Sequence, residues 1–188
     1  MSVSLKMKAP PTDEELRELS DRNPGYQFER SAAGELIVTP TGSKAGRREL
    51  LLGVQLARWA EADGRGLAFG PSAGFRLPDG SVLSPDASWV RRDRWDSLEA
   101  GAQEGFAPLC PDAVFECASR SDELPGLRAK LQVYLANGAR LAVLVDPYRR
   151  AVEIFEPGRT PRVVEQARSV AFPSVLSGFV LDLEPIFA

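Results

Sequence analysis

The sequence predicts an α/β fold, a mixed β-sheet core flanked by helices, and three observations carry that prediction. Ala113 to Ala118, a helical stretch closing at Asn137-Gly138, and the unbroken apolar run Leu141 to Val145 read as strand, helix and strand. That order is a parallel crossover, which is right-handed by rule, and an apolar run without alternation is the pattern of a strand covered on both faces. Elsewhere, Asp79-Gly80 and Pro157-Gly158 punctuate extended segments, so antiparallel pairs stand beside the parallel one. Finally, 188 residues with 44% hydrophobic content can bury one substantial core and leave little for a second.

Taken in order, Thr12-Asp13-Glu14-Glu15 announces a helix, with Thr12 capping free amides while Glu15 reaches back, and Asn23-Pro24-Gly25 ends it. This gives an N-terminal helical segment over 1–22 and a main domain over 23–188. Tyr26 to Arg30 and Glu35 to Thr39 form a hairpin around Gly34. Lys44 to Asp63 is helical, with Leu52, Leu56 and Trp59 at three- and four-residue spacing. Ala73 to Leu77 and Ser81 to Val90 flank Pro78-Asp79-Gly80, which places Pro85-Asp86 on the second strand of another hairpin. Arg91 to Trp95 reads as a solvent-facing turn into a short helix with Trp95 and Leu98 inward, and Gly101 to Pro111 as a loop. Asp122 is expected to cap the crossover helix. Val152 to Phe155 and Arg162 to Glu165 follow as antiparallel strands, and Leu176 to Leu183 as a terminal packing segment.

Composition narrows the chemistry. The chain has no histidine, which excludes a Ser-His-Asp triad, a Cys-His pair, an imidazole base and the usual His-containing zinc sites. Catalysis must then run on carboxylates, lysine, hydroxyls or a bound metal. A net charge of -3 and a pI near 5.2 argue against strong non-specific DNA binding, though not against a local basic patch. Cys110 and Cys117 lack metal-ligand spacing and are expected to be reduced. Leu141 to Val145 is far short of a membrane span and Met1 to Pro11 lacks the apolar block of a signal peptide, so a cytoplasmic protein without membrane association is expected.

Three polar residues stand where the pattern calls for neutral ones. Asp86 follows a proline within an expected strand, Glu116 sits inside an apolar run, and Lys130 borders the stripe Leu124, Leu127, Leu131, Tyr134 and Leu135 of the crossover helix. Alternation puts Glu116 on the sheet face of Val114 and Ala118, where a carboxylate needs a cation. Two readings stand side by side: an ion pair between Glu116 and Lys130 that fastens helix to strand, or a site in which Asp86 and Glu116 hold Mg²⁺ and Lys130 serves the reacting phosphate. Lys44, Arg47 and Arg48, in the first turns of the long helix, likewise read either as a solvated face or as contacts to an anionic partner such as a phosphate backbone.

Asp86 after Pro85, Glu116 thirty positions on and then Lys130 resemble the PD-(D/E)XK nuclease constellation. Gly34-Glu35-Leu36, Pro40-Thr41-Gly42, Gly74-Phe75-Arg76-Leu77-Pro78, Ser84-Pro85-Asp86, Asn137-Gly138-Ala139-Arg140 and Val145-Asp146-Pro147 resemble, in the same order, segments of the Uma2 (DUF820) family. The resemblance runs from about Asn23 to the C-terminus. It implies a restriction-endonuclease-like core and a Mg²⁺-dependent endonuclease acting on DNA, with Mn²⁺ as a substitute metal. Asp86 and Glu116 would be metal ligands and Lys130 the catalytic lysine, arriving from the helix because Ala118 occupies the usual lysine place of Glu-x-Lys. Glu35 and Glu49 are additional acidic candidates, Lys44, Arg47 and Arg48 would touch phosphates, and a homodimer is expected with one site per strand. The competing reading is a nuclease-fold protein that binds DNA or regulates without cutting. A carboxylate-pair glycosidase would need an aromatic sugar platform that the sequence lacks.

Overall fold

In the computed structural model, which describes residues 3–188, the chain opens with β1 (Val3–Leu5) and α1 (Asp13–Arg22). Met1 and Ser2, which belong to the expected segment 1–22 and to the stretch examined for a signal peptide, lie outside the described residues. The helix start is the reciprocal cap expected: the Glu15 amide donates to Thr12 Oγ1 at 3.2 Å and the Thr12 amide to Glu15 Oε2 at 2.7 Å. Leu16 of α1 is buried with Phe28, Leu36 and Val82.

β2 (Tyr26–Arg30) and β3 (Leu36–Pro40) form the first hairpin, and α2 (Ser43–Asp63) follows, closed by Gly64 at φ 73°, a left-handed position that glycine fills without strain. Next come β4 (Gly66–Phe69), β5 (Phe75–Arg76), β6 (Val82–Leu83) and β7 (Ala87–Arg91). The expected strand from Ser81 to Val90 is therefore two strands, broken at Ser84-Pro85-Asp86. Pro85 has no amide hydrogen to give a ladder, and the chain uses the break to change sheets. α3 (Arg92–Asp96) and α4 (Ala100–Gln103) follow, the latter a helical turn inside the expected loop.

The crossover is formed by β8 (Ala113–Cys117), α5 (Leu124–Ala136) and β9 (Leu141–Asp146), with β8 and β9 parallel. Asp122 does not cap α5; its Oδ2 accepts instead from the Ser119 amide at 2.8 Å, and Glu123 occupies the cap position without a side-chain bond. The chain ends with β10 (Ala151–Phe155), β11 (Arg162–Glu165), β12 (Ser169–Phe172), β13 (Leu176–Asp182) and α6 (Glu184–Phe187).

Among the described residues these strands make three sheets. The central one runs β11-β10-β9-β8-β7-β4, mixed because β8 and β9 alone are parallel. The second runs β1-β3-β2-β6-β5 and is antiparallel, and β12 pairs with β13. One face of the central sheet, with Phe115, Val143 and Val145, packs on Leu52 and Leu56 of α2 and on Phe172 and Phe179. The other face, with Val114 and Leu144, packs under Leu131 and Tyr134 of α5. Each fully buried aliphatic side chain here contributes about 1.5–3 kcal/mol. Cys110 and Cys117 are free and buried, and burial pushes the Cys110 thiol up to about 12. No helix among the described residues is long and apolar enough to cross a membrane.

Candidate active site

The sheet change at Pro85 leaves Asp86 at a seam, immediately before β7 and opposite the end of β8. There Asp86 Oδ2 accepts a 2.7 Å hydrogen bond from the Cys117 amide. Glu116, one residue earlier on β8, projects to the α5 face of the sheet, as the alternation with Val114 and Ala118 requires. Lys130 crosses from α5 to meet it, with Nζ 2.8 Å from Glu116 Oε1. The same ammonium lies 3.0 Å from Glu29 Oε1 and donates to the Ser84 carbonyl at 3.2 Å. Glu29 in turn accepts the Ser84 amide at 2.7 Å. Two sheets and one helix thus converge on a single lysine.

These groups line a cavity of about 470 Å³, together with Glu49, Asp122 and Thr41. Its electrostatics are uneven. Burial raises Glu116 well above the usual carboxylate range, against the pull of Lys130 and with the charges of Asp86 and Glu29 adding to it. Burial likewise pushes Asp86 to about 6 and Glu49 to about 7. Burial alone would lower Lys130, yet the carboxylates of Glu116 and Glu29 hold it well above its ordinary value. Lys130 is thus held toward its charged form, as a hydrogen-bond donor to the oxygens around it.

A hard divalent cation fits this donor set. The pocket holds more carboxylates than cations, and Glu116 Oε1, close as it is to Lys130, has no aligned hydrogen bond. Among the described residues no three acidic or cysteine side chains converge to form a cage. Mg²⁺ needs none, since it keeps several waters and takes one or two carboxylates beside substrate oxygens.

The other candidates separate. Glu49 reaches the pocket wall from α2, whereas Glu35 does not: it lies at the opposite end of β3 from Thr39 and Thr41, and accepts from Ser4 Oγ at 2.9 Å. Lys44 and Arg47 are exposed, but Arg48 is buried under the Tyr148 ring, so it is not part of a solvated face. Glu29 was not anticipated as a site residue; it is buried beside Phe28 in a strand whose other residues are partly or fully exposed, and the sequence alone leaves no signal for it.

A solved structure from Anabaena variabilis, described as a putative nuclease belonging to DUF820, matches with a TM-score of 0.75 and 19% identity over 95% of this chain and 98% of that one. The likeness defines the class of fold, an α/β core of restriction-endonuclease-like type. A cryo-electron microscopy structure of a DrdV–DNA complex matches at a TM-score of only 0.36, with 17% identity over 70% of this chain and 10% of that one, and carries no weight. No curated protein matches the sequence. The sequence model of the Uma2 family, described as "Putative restriction endonuclease", matches residues 13–184, and the chain belongs to that family.

Proposed function

We propose that this chain is a Mg²⁺-dependent endonuclease that hydrolyses phosphodiester bonds of DNA, with Asp86 and Glu116 as metal ligands and Lys130 as the catalytic lysine. The observation that carries this reading is the Lys130 ammonium, clamped between Glu116 and Glu29 next to Asp86 in a cavity of about 470 Å³. When bound, the divalent cation supplies positive charge at the scissile phosphate. Lys130 supplies a second, preorganised charge and donor for the attacking water or the developing negative charge on phosphorus-bound oxygen. Glu29 is a positioning residue: its own 3.0 Å contact with Lys130 would hold the ammonium in place if Glu116 served as a metal ligand. Glu49 forms part of the wall, with its carboxyl pushed up to about 7 by burial. Lys44 and Arg47, exposed on the first turns of α2, would contact the backbone, and a symmetric homodimer would place one site on each strand.

The experiment is cleavage of supercoiled plasmid by purified protein with Mg²⁺ or Mn²⁺, beside Asp86→Ala, Glu116→Ala and Lys130→Ala. Metal-dependent nicking that disappears in all three variants is expected. One observation favours the second reading, a DNA-binding protein that does not cut: Ala118, nearly buried, stands where Glu-x-Lys has its lysine. Metal-independent binding with no cleavage of varied DNA and RNA substrates would establish it.

A further inference from the structure

The turn between β9 and β10 carries features for which phosphodiester hydrolysis has no use. Asp146 Oδ1 accepts the amides of Tyr148 at 3.0 Å and Arg149 at 3.1 Å, which fixes the turn, and Arg150 sits at φ 52°, a region that costs a non-glycine residue. Tyr148 is 47% exposed. Beneath its ring, 4.9 Å from the centroid, lies the guanidinium of Arg48, itself only 3% exposed. Arg48 Nε and Nη1 have no hydrogen-bond partner among the described residues, and Nη2 makes a single long bond of 3.4 Å to the Ala188 carbonyl. A buried cation is costly, and here an aromatic face and the terminal oxygen of Ala188 are its partners. The turn is tied further to α6 by Arg150, 5.1 Å from the Phe187 ring centroid. It also adjoins the pocket: Val145 pairs with Cys117 at the end of β8, and Arg48 is the neighbour of Glu49 on α2.

We propose that Tyr148 is a stacking platform for an unpaired nucleobase, so that the substrate engages this edge as single-stranded nucleic acid or as a nucleotide turned out of a duplex. The proposal rests on the nuclease reading of the adjacent pocket. One face of the ring is occupied by Arg48, and with nearly half of the side chain exposed the residue can take one planar partner. Paired bases in a duplex have no free face to offer, whereas every unpaired base has one, and base–aromatic stacking contributes about 1–3 kcal/mol per base irrespective of sequence. Arg149, next to Tyr148 in the chain and half exposed although it also approaches Glu153 and Glu165, supplies positive charge for a phosphate flanking one stacked base.

The test is fluorescence anisotropy in EDTA, where cleavage is silent, with labelled oligothymidylate, the same strand annealed to its complement, and oligouridylate. The wild type is expected to bind single strands more tightly than duplex. Tyr148→Ala should weaken single-strand binding roughly tenfold or more, while Tyr148→Phe retains it; Tyr148→Ala uncovers Arg48 and lowers the melting temperature modestly, and both variants stay folded at the assay temperature. A larger loss on thymidylate or on uridylate assigns the platform to DNA or RNA. Unchanged affinity in Tyr148→Ala, or duplex bound as tightly as single strand, overturns the proposal. Plasmid cleavage by the wild type judges the nuclease reading separately: cutting without Tyr148-dependent binding removes the platform alone, and Tyr148-dependent binding without cutting removes the nuclease alone.

Discussion

Glu116 on β8 and Glu153 on β10 both stand opposite Leu144 of β9, in one row across the central sheet, and each meets a cation from α5. Their exposures are nearly equal, 3% and 4%. Their electrostatic states are opposite. Arg128 grips Glu153 with two hydrogen bonds of 2.7 Å, Arg149 approaches at 3.5 Å, and the Arg128 bonds hold Glu153 below the usual carboxylate range. Glu116 is raised well above that range by burial, because its lysine also serves Glu29 and its neighbour Asp86 is a second negative charge. The same ingredients, a buried glutamate and a helical cation, make a strut where cations outnumber carboxylates and a cation-seeking pocket where they do not.

The comparison can be broken most severely at Glu116. Glu116→Gln is expected to reduce plasmid cleavage by about a hundredfold or more while changing the melting temperature little, since burial already favours the uncharged carboxyl that glutamine resembles. At the strut the loss falls on the fold: Arg128→Met should cost about 2 kcal/mol in urea unfolding, less than a fully buried pair because Arg128 is 41% exposed. A pH series sharpens the contrast further. Glu153 has a lowered folded pKa, so its stabilisation is present above its unfolded value of about 4.3 and is lost as pH falls through the folded value. Glu153→Gln should therefore flatten the acid limb of the stability curve and leave the neutral limb parallel to that of the wild type. The smallest effect belongs to the surface pair: Arg159, 2.9 Å from Glu156 but 67% exposed, should cost less than about 0.5 kcal/mol when changed to alanine.

Local periodicity made much of this legible. The period of two along Ala113 to Ala118 put Glu116 on the face of Val114 and Ala118, and the helical period put Lys130 at the border of the Tyr134 stripe, which is where both lie. The Thr12 cap and the Gly34 hairpin were likewise readable from neighbours in the chain. What escaped was set by contacts distant in sequence. Glu29 resembles an ordinary exposed strand residue until the second sheet docks and brings Ser84 and Lys130 to it, 55 and 101 positions away. Arg48 reads as solvated until the β9–β10 turn folds over α2. The strand from Ser81 to Val90 looked continuous because Pro85 forbids one ladder bond without saying that the chain will change sheets.

That sheet change makes the pocket a joint rather than a property of either layer. Glu29 and the Ser84 carbonyl belong to the antiparallel sheet side, Glu116 to the central sheet, Lys130 to the helix above it, and Asp86 to the short β6–β7 connection that passes from one sheet to the other. A slight parting of the layers would release Lys130 from Glu29 and swing Asp86 away from Cys117 while every strand of the central sheet stayed paired. On the proposed reading the pocket would come apart before the fold does, and in mild denaturant plasmid cleavage would fade ahead of circular dichroism.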